Sequence, residues 1–479
     1  MTKRLRILIP VFALVAGVVS AQDAKSVLQK ASSAMGNANS IEYSGKGQAG
    51  LIGQSFTPIV DWPMVNVTTY TRTIDYASRS SKEEMSRFEQ TPRPKGGGAP
   101  FTGEQKQVNM VSGQYAWNQA GNAVQPALAA ADERQLQIWL TPHGFIKGAM
   151  ENNATAKNGK GGTDVTFMSG KYKVVGTINS QGMVTKVDTW LPSPVMGDML
   201  TETLYSDYKD FNGVKFPTHI VQNQGGHPVL DLTVTDVKAN VANAALTAPD
   251  AVKNAKAPPV VAASQKLADG VWFVGGGSHN SVIIEYPAYI AVVEAPLSEE
   301  RSLAVIAEAK KLVPNKPIKY LINTHHHWDH SSGVRTYVAE GATVITSEMN
   351  KAYYERDWKA PRTIEPDALA KSPKKATFIT VKDSYSLTDG GRTLELHLTQ
   401  GDMHNAGILL GYLPKEKILI EADDFTPPNP GASLIPSTMN FGNILLDNVQ
   451  RLKLDVQTIA PLHGRVVPFS EFPKALGKG

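Results

Sequence analysis

The chain has 479 residues, 42% hydrophobic and 19% charged, the proportions of a globular protein long enough for two or more domains. It contains no cysteine, which excludes a disulfide framework and thiolate metal ligands alike. The formal charge of +4 includes the basic residues at the extreme N-terminus, and the near-balanced remainder gives no electrostatic case for nucleic acid or an acidic membrane as partner.

Lys3-Arg4-Leu5-Arg6, an apolar run from Ile7 to Val19 and the small-residue end Val19-Ser20-Ala21 spell a secretory signal peptide over residues 1–21. A bilayer span needs about 20 apolar residues, and this run is shorter. The mature chain is therefore expected to be exported, periplasmic or secreted, with no integral membrane segment.

Residues 24 to 36 read as a short helix, with Val27, Leu28, Ala31 and Ala34 on one side and Gly36 as its stop. Short β-rich runs follow over 164–168, 171–178, 183–191, 201–208, 214–222 and 229–237, separated by turn dipeptides such as Asn212-Gly213 and Gly225-Gly226. Turn dipeptides between alternating runs mark hairpins, so residues 22–247 are expected to form a mainly antiparallel β domain. This half bears a general resemblance to the curved-sheet folds of periplasmic lipoprotein carriers. Within it, Thr91 to Gly98 has the composition of a mobile loop. His143 is the one residue here that could carry chemistry, and an ordinary loop histidine is its simpler reading. Residues 248–263, rich in Ala and Pro, read as a linker to a second domain over 264–479.

The second domain opens with strands at 270–274 and 281–285, joined by Gly275-Gly276-Gly277-Ser278-His279-Asn280. A strand at 290–294 precedes a helix capped by Ser298 and ended by Pro314 and Pro317. The apolar run Ile318, Tyr320, Leu321, Ile322 then leads into Thr324-His325-His326-His327-Trp328-Asp329-His330. In an extended segment residues i and i+2 share a face, so His325 and His327 can grip one metal ion. Where the chain bends, Asp329 and His330 diverge and can serve a second ion, roughly 3.5–4 Å away in two-metal sites.

This motif after a strand resembles the signature of the metallo-β-lactamase superfamily, and the resemblance covers about the last 220 residues. It implies an α+β protein, with a C-terminal α/β/β/α sandwich preceded by the antiparallel β domain. It also implies that the remaining ligands sit at later strand ends. His404, in Gly401-Asp402-Met403-His404-Asn405, matches the third ligand of the first site, although the usual neighbourhood is Gly-His-Thr or Gly-His-Ser. Asp423 matches the acid that bridges both ions, with Asp424 as runner-up, and His463 in His463-Gly464 matches the last ligand. His325, His327 and His404 would then hold one ion and Asp329, His330 and His463 the other. Glu294 stands where family members usually carry Asp. His279 falls on a loop that lies at the rim of the family's site, where it would touch substrate, and a solvent-facing turn residue is the simpler reading. His326, Trp328 and His397 read as packing or rim residues.

The donor set suits two zinc ions, and iron or manganese accept the same ligands. The resemblance thus implies an exported metal-dependent hydrolase in which a metal-bridging hydroxide attacks an ester, lactone, thioester or amide bond of a small molecule, with Asp329 orienting it or carrying its proton. Two rivals within the fold are a β-lactam hydrolase with an Asp-His-His second site and a mononuclear iron sulfur dioxygenase. A third is a lipid-carrier-like binding protein with a vestigial metal domain.

Overall fold

The computed structural model describes residues 21–478, so residues 1–20 of the expected signal segment lie outside the described residues. Among these residues the N-terminal half forms one 13-stranded sheet, every pairing of which is antiparallel. The strands run outward from the centre, where the first, Ser40–Gly50, pairs with the last, His227–Ala239, to two edges formed by the consecutive strands Ala123–Pro126 and Thr155–Gly159. The hairpins obey their turn chemistry. Asn212 and Gly213 both have positive φ (55° and 87°) between Phe211 and Val214, as a two-residue type I′ turn requires.

Helices Ala21–Met35, Ala131–Trp139 and Pro142–Glu151 cover one face of this sheet through Leu28, Ala31, Met35, Leu136, Ile138, Phe145 and Ile146. His143 belongs to this core, not to a loop. It occupies the first turn of its helix, is buried, donates from Nε2 to the Met35 carbonyl at 3.4 Å and stacks on Phe216. Burial pushes its pKa down to about 4.

The Ala/Pro stretch also departs from expectation. Pro249 starts a helical turn over Asp250–Lys253, Ala248 and Val252 bury against Val108, Met110 and Trp117, and the next sheet already begins with Ala263–Ala268. Proline restricts φ to values a first helical turn accepts, so it started structure here where composition suggested a break.

The C-terminal half has four layers. A seven-stranded sheet runs from Ala263–Ala268 to Phe378–Val381, and a six-stranded one from Ser384–Asp389 to Val467–Pro468. Val282, Ile284, Val293 and Ile322 of the first pack on Leu394, Leu396, Leu409 and Ile420 of the second. Helices Glu299–Leu312 and Val334–Glu340 close the outer face of the first sheet, and Pro436–Arg451 with Glu471–Ala475 close that of the second. The Ser298 hydroxyl accepts from Arg301 N, the expected N-cap.

The halves are joined by more than the connecting chain. Arg362, buried, donates to the carbonyls of Ser193 and Val195 at 2.8 Å each, and the Asp198 carboxylate receives Thr363 and Ile364 backbone amides. On the other side of the junction Gly53 lies against the indole of Trp328, and Trp62 meets the same ring edge-on at 5.2 Å. Among the described residues no helix is long and apolar enough to cross a membrane.

Candidate metal centre

The parallel strand Ile318–Ile322, buried between its neighbours, ends at Asn323 and releases the histidine run at the C-terminal edge of the sheet. Asp329 and His330 sit on the short helix Trp328–Ser331, whose start turns them away from His325 and His327. The later strands deliver the rest. His404 follows Arg392–Leu398, Asp423 follows Ile418–Glu421 and His463 follows Thr458–Pro461. Ligand atoms of His325, His327 and His404 all lie within 4.8 Å of one another, as do those of His279, Asp329, His330 and His463.

Asp423 stands between the two groups. Its Oδ2 is 3.1 Å from His330 Nε2, 3.5 Å from His404 Nε2 and 3.6 Å from His325 Nε2, while Oδ1 is 3.2 Å from His463 Nε2. Despite these neighbours the buried Oδ2 accepts no hydrogen bond of sound geometry. Asp424, the runner-up, is buried with both oxygens unpartnered, and burial followed by Asp402 and Glu421 raises its pKa well above the carboxylate range. Of the two neighbouring acids, Asp423 is the one whose oxygens reach the histidines.

Hydrogen bonds fix the imidazole tautomers. His330 donates from Nδ1 to Glu294 Oε2 at 3.0 Å, and His404 from Nδ1 to the Gly97 carbonyl at 2.6 Å. His327 donates from Nε2 to the Ser55 carbonyl at 2.9 Å, which leaves its buried Nδ1 without a partner. Thr324 gives its one hydroxyl proton to Glu294, so at 3.0 Å it can only accept from His325 Nδ1. Each of these rings therefore turns its other nitrogen to the cluster. His325 Nε2 and His404 Nε2 are 3.3 Å apart, and His330 Nε2 and His463 Nε2 are 3.1 Å apart. The lone pairs of His325 and His404 at that distance repel unless a cation lies between them, and two nitrogens about 2.0–2.1 Å from one tetrahedral ion stand roughly 3.3–3.4 Å apart. The donor set fits a divalent cation.

Electrostatics agree. Burial, then the charge His330 can carry, holds the His325 imidazole far below its usual range, in the neutral form a ligand needs. Burial opposes charge on His330 as well, yet Asp423, Asp329 and Glu294 raise its pKa well above normal, so the cluster is built to stabilise positive charge. Two backbone outliers flank it, Glu294 at φ 77° and Asp423 at φ 68°. Such conformations cost on the order of 1–3 kcal/mol each and persist where surrounding contacts over-determine them. Glu294 shows those contacts, receiving Asn323 Nδ2 at 3.0 Å besides Thr324 and His330.

His279 is not at the rim. It is 7% exposed, with Nε2 3.1 Å from Asp329 Oδ2 and its ring 4.1 Å from that of His463. An antiparallel bridge to His463 draws its loop inward. His326 packs on Tyr353 and contacts Ser55, and His397 pairs with Glu395 away from the cluster.

The N-terminal domain supplies groups that sequence reasoning missed. Gln54 Nε2 donates to Asp329 Oδ1 at 2.7 Å across 275 residues, beside the Ser55 and Gly97 carbonyls already named. The 91–98 segment is docked at Gly96 and Gly97, where Gly96 N donates to the Met403 carbonyl at 2.9 Å. Backbone carbonyls leave no residue signature, so no local pattern could have flagged them.

Residues 274–429 match the family model of the metallo-beta-lactamase superfamily. The C-terminal domain belongs to that superfamily. A curated relative, the linear primary-alkylsulfatase of Pseudomonas sp. (strain ATCC 19151), is 40% identical over 225 residues, which cover 39% of this chain and 41% of that protein. The chain thus matches about two fifths of that relative's length. Among solved structures, a metallo-β-lactamase from Pontibacter korlensis is 18% identical, with 45% of this chain and 98% of that one covered at a TM-score of 0.36. The inverting sec-alkylsulfatase Pisa1 from Pseudomonas sp. is also 18% identical, covering 45% and 40% at a TM-score of 0.34. For a superfamily domain, the two clusters and the acid between them are candidate metal-binding groups.

Proposed function

We propose that this chain is an exported hydrolase that holds two divalent ions, zinc suiting the first cluster, and cleaves an ester-type bond of a small molecule. The observation that carries it is Asp423, set between two histidine clusters with a buried oxygen that accepts no proper hydrogen bond. When bound, the ions supply an activated water and an electrophile for the scissile group. The chain's own residues do the rest. The fixed tautomers aim ring nitrogens without reorganisation, and Asp423 ties the clusters together. Asp329, whose side chain is 33% exposed where those of His325 and His330 are 0%, lies on the open side and is the group placed to hold or move a proton there.

Within the ester class, a sulfate ester of an alkyl alcohol is the first substrate to test, because the curated relative is named for that activity. An intact second cluster speaks against a mononuclear dioxygenase and a vestigial domain, and the bridging acid speaks against a β-lactamase. Export is supported by the basic, apolar and small-residue sequence of residues 1–21.

The test is a panel of alkyl sulfate, carboxylic ester, lactone, thioester and β-lactam, run on metal-depleted and zinc-reloaded protein. Restored turnover of an ester-type substrate is expected. Turnover that survives complete metal removal, or a reloaded protein that cleaves only the β-lactam, would refute the reading.

A further inference from the structure

We propose that His279 is an additional protein ligand of the second cluster, making it a site for a five- or six-coordinate divalent transition-metal ion. This rests on the two-ion reading above and assigns one more donor to it. The ligand atoms of His279, Asp329, His330 and His463 lie mutually within 4.8 Å. The His279 ring is 5.0 Å from that of His330 and 4.1 Å from that of His463, while its Nε2 is 3.1 Å from Asp329 Oδ2. Its other nitrogen, Nδ1, is engaged by Ser278 Oγ at 2.8 Å, the outer partner that metal-bound histidines commonly have.

The backbone is built to put it there. His279 and His463 form a β-bridge, Asn280 N donates to the Leu462 carbonyl at 2.8 Å, and Asn280 Nδ2 donates to the carbonyls of Pro461 and Gly464 at 3.1 and 2.9 Å. The two imidazoles are thus delivered as a pair by one clamp. A rim residue that met substrate only in passing would need neither the burial nor the clamp.

The donor count sets the consequence. His325, His327 and His404 with Asp423 would offer a first ion four protein donors, which suits tetrahedral zinc. His279, Asp329, His330 and His463 with Asp423 would offer a second ion five, leaving room for a water as sixth. Such a set favours metals that accept octahedral geometry, manganese or ferrous iron, over zinc.

The competing account is that His279 only donates a hydrogen bond to Asp329. Metal-depleted full-length protein is titrated with Zn²⁺ and with Mn²⁺ by calorimetry, comparing wild type with His279→Gln and His279→Ala and checking each fold by circular dichroism. A glutamine amide can replace the hydrogen bond but is a poor ligand. We expect both variants to lose second-site affinity alike, by more than the roughly 10–100-fold that loss of an outer partner costs, with the first site unchanged. Wild-type affinity in His279→Gln, or unchanged affinity in His279→Ala, overturns the proposal while leaving the two-ion reading intact. A wild type that binds only one ion overturns both.

Discussion

Gln54 of the N-terminal domain donates its side-chain amide to Asp329 of the metal centre at 2.7 Å, so one oxygen of the most open carboxylate in the cluster is held from the other domain. Its second oxygen lies 3.1 Å from His279 Nε2, on the side of the second cluster. Replacing Gln54 by Ala should lower metal affinity at the second cluster by roughly 10–100-fold and spare the first, the usual cost of losing a group that orients a ligand. Chelator competition measures it, and equal affinities would show that the contact is incidental.

The two neighbouring acids should separate cleanly. Asp423→Asn removes the one charge shared by both clusters and should reduce bound metal from two ions to one or none. Asp424→Asn exchanges an acid whose pKa burial raises well above the carboxylate range for a near-isosteric amide, so its metal content should stay at the wild-type value. Elemental analysis of the two purified variants decides between them, and the reverse pattern would move the bridge to Asp424.

Much of the centre was legible because its chemistry is concentrated. Four ligand-type residues sit within six positions of one loop, and His404, Asp423 and His463 each follow an apolar run that had to be a buried strand. Position in a turn told nothing about depth, which is why His279 read as a rim residue before its bridge to His463 was seen. Glu294 stood out as a departure from the family's Asp, but its reach to Thr324, Asn323 and His330 is a property of the fold. Ser55 and Gly97 act through carbonyls that any residue would supply, from hundreds of positions away. Composition misled over residues 91–98 and 248–263, where glycine and proline permit tight docking as readily as freedom.

Gly53 should be sensitive for a steric reason. Its φ is +74°, and a Cβ there would lie 2.4 Å from Trp328 Cγ. Gly53→Ala must push the loop off the indole, at a cost of about 1–3 kcal/mol typical of overpacking. The expected result is a lower thermal midpoint with faster hydrogen exchange over residues 51–63. An unchanged midpoint would mean that the domain contact yields without loss.

His143 predicts a pH dependence in the N-terminal domain. Its folded pKa, about 4, lies below the ordinary 6.5, so between those values the unfolded chain binds the extra proton and stability falls as pH falls. The stabilisation is fully present above pH 6.5 and is lost toward pH 4, about 3 kcal/mol in all for a group this buried. His143→Gln should flatten that part of the curve when unfolding is followed in denaturant at each pH. A slope equal to wild type would place the titration elsewhere.

The most direct measurement is anomalous diffraction from crystals of the metal-loaded chain, which locates each ion without reference to activity. Two peaks are expected, roughly 3.5–4 Å apart, one among His325, His327 and His404 and the other among Asp329, His330 and His463, with the Asp423 carboxylate touching both. A single peak, or two peaks with Asp423 bound to neither, would contradict the dinuclear account.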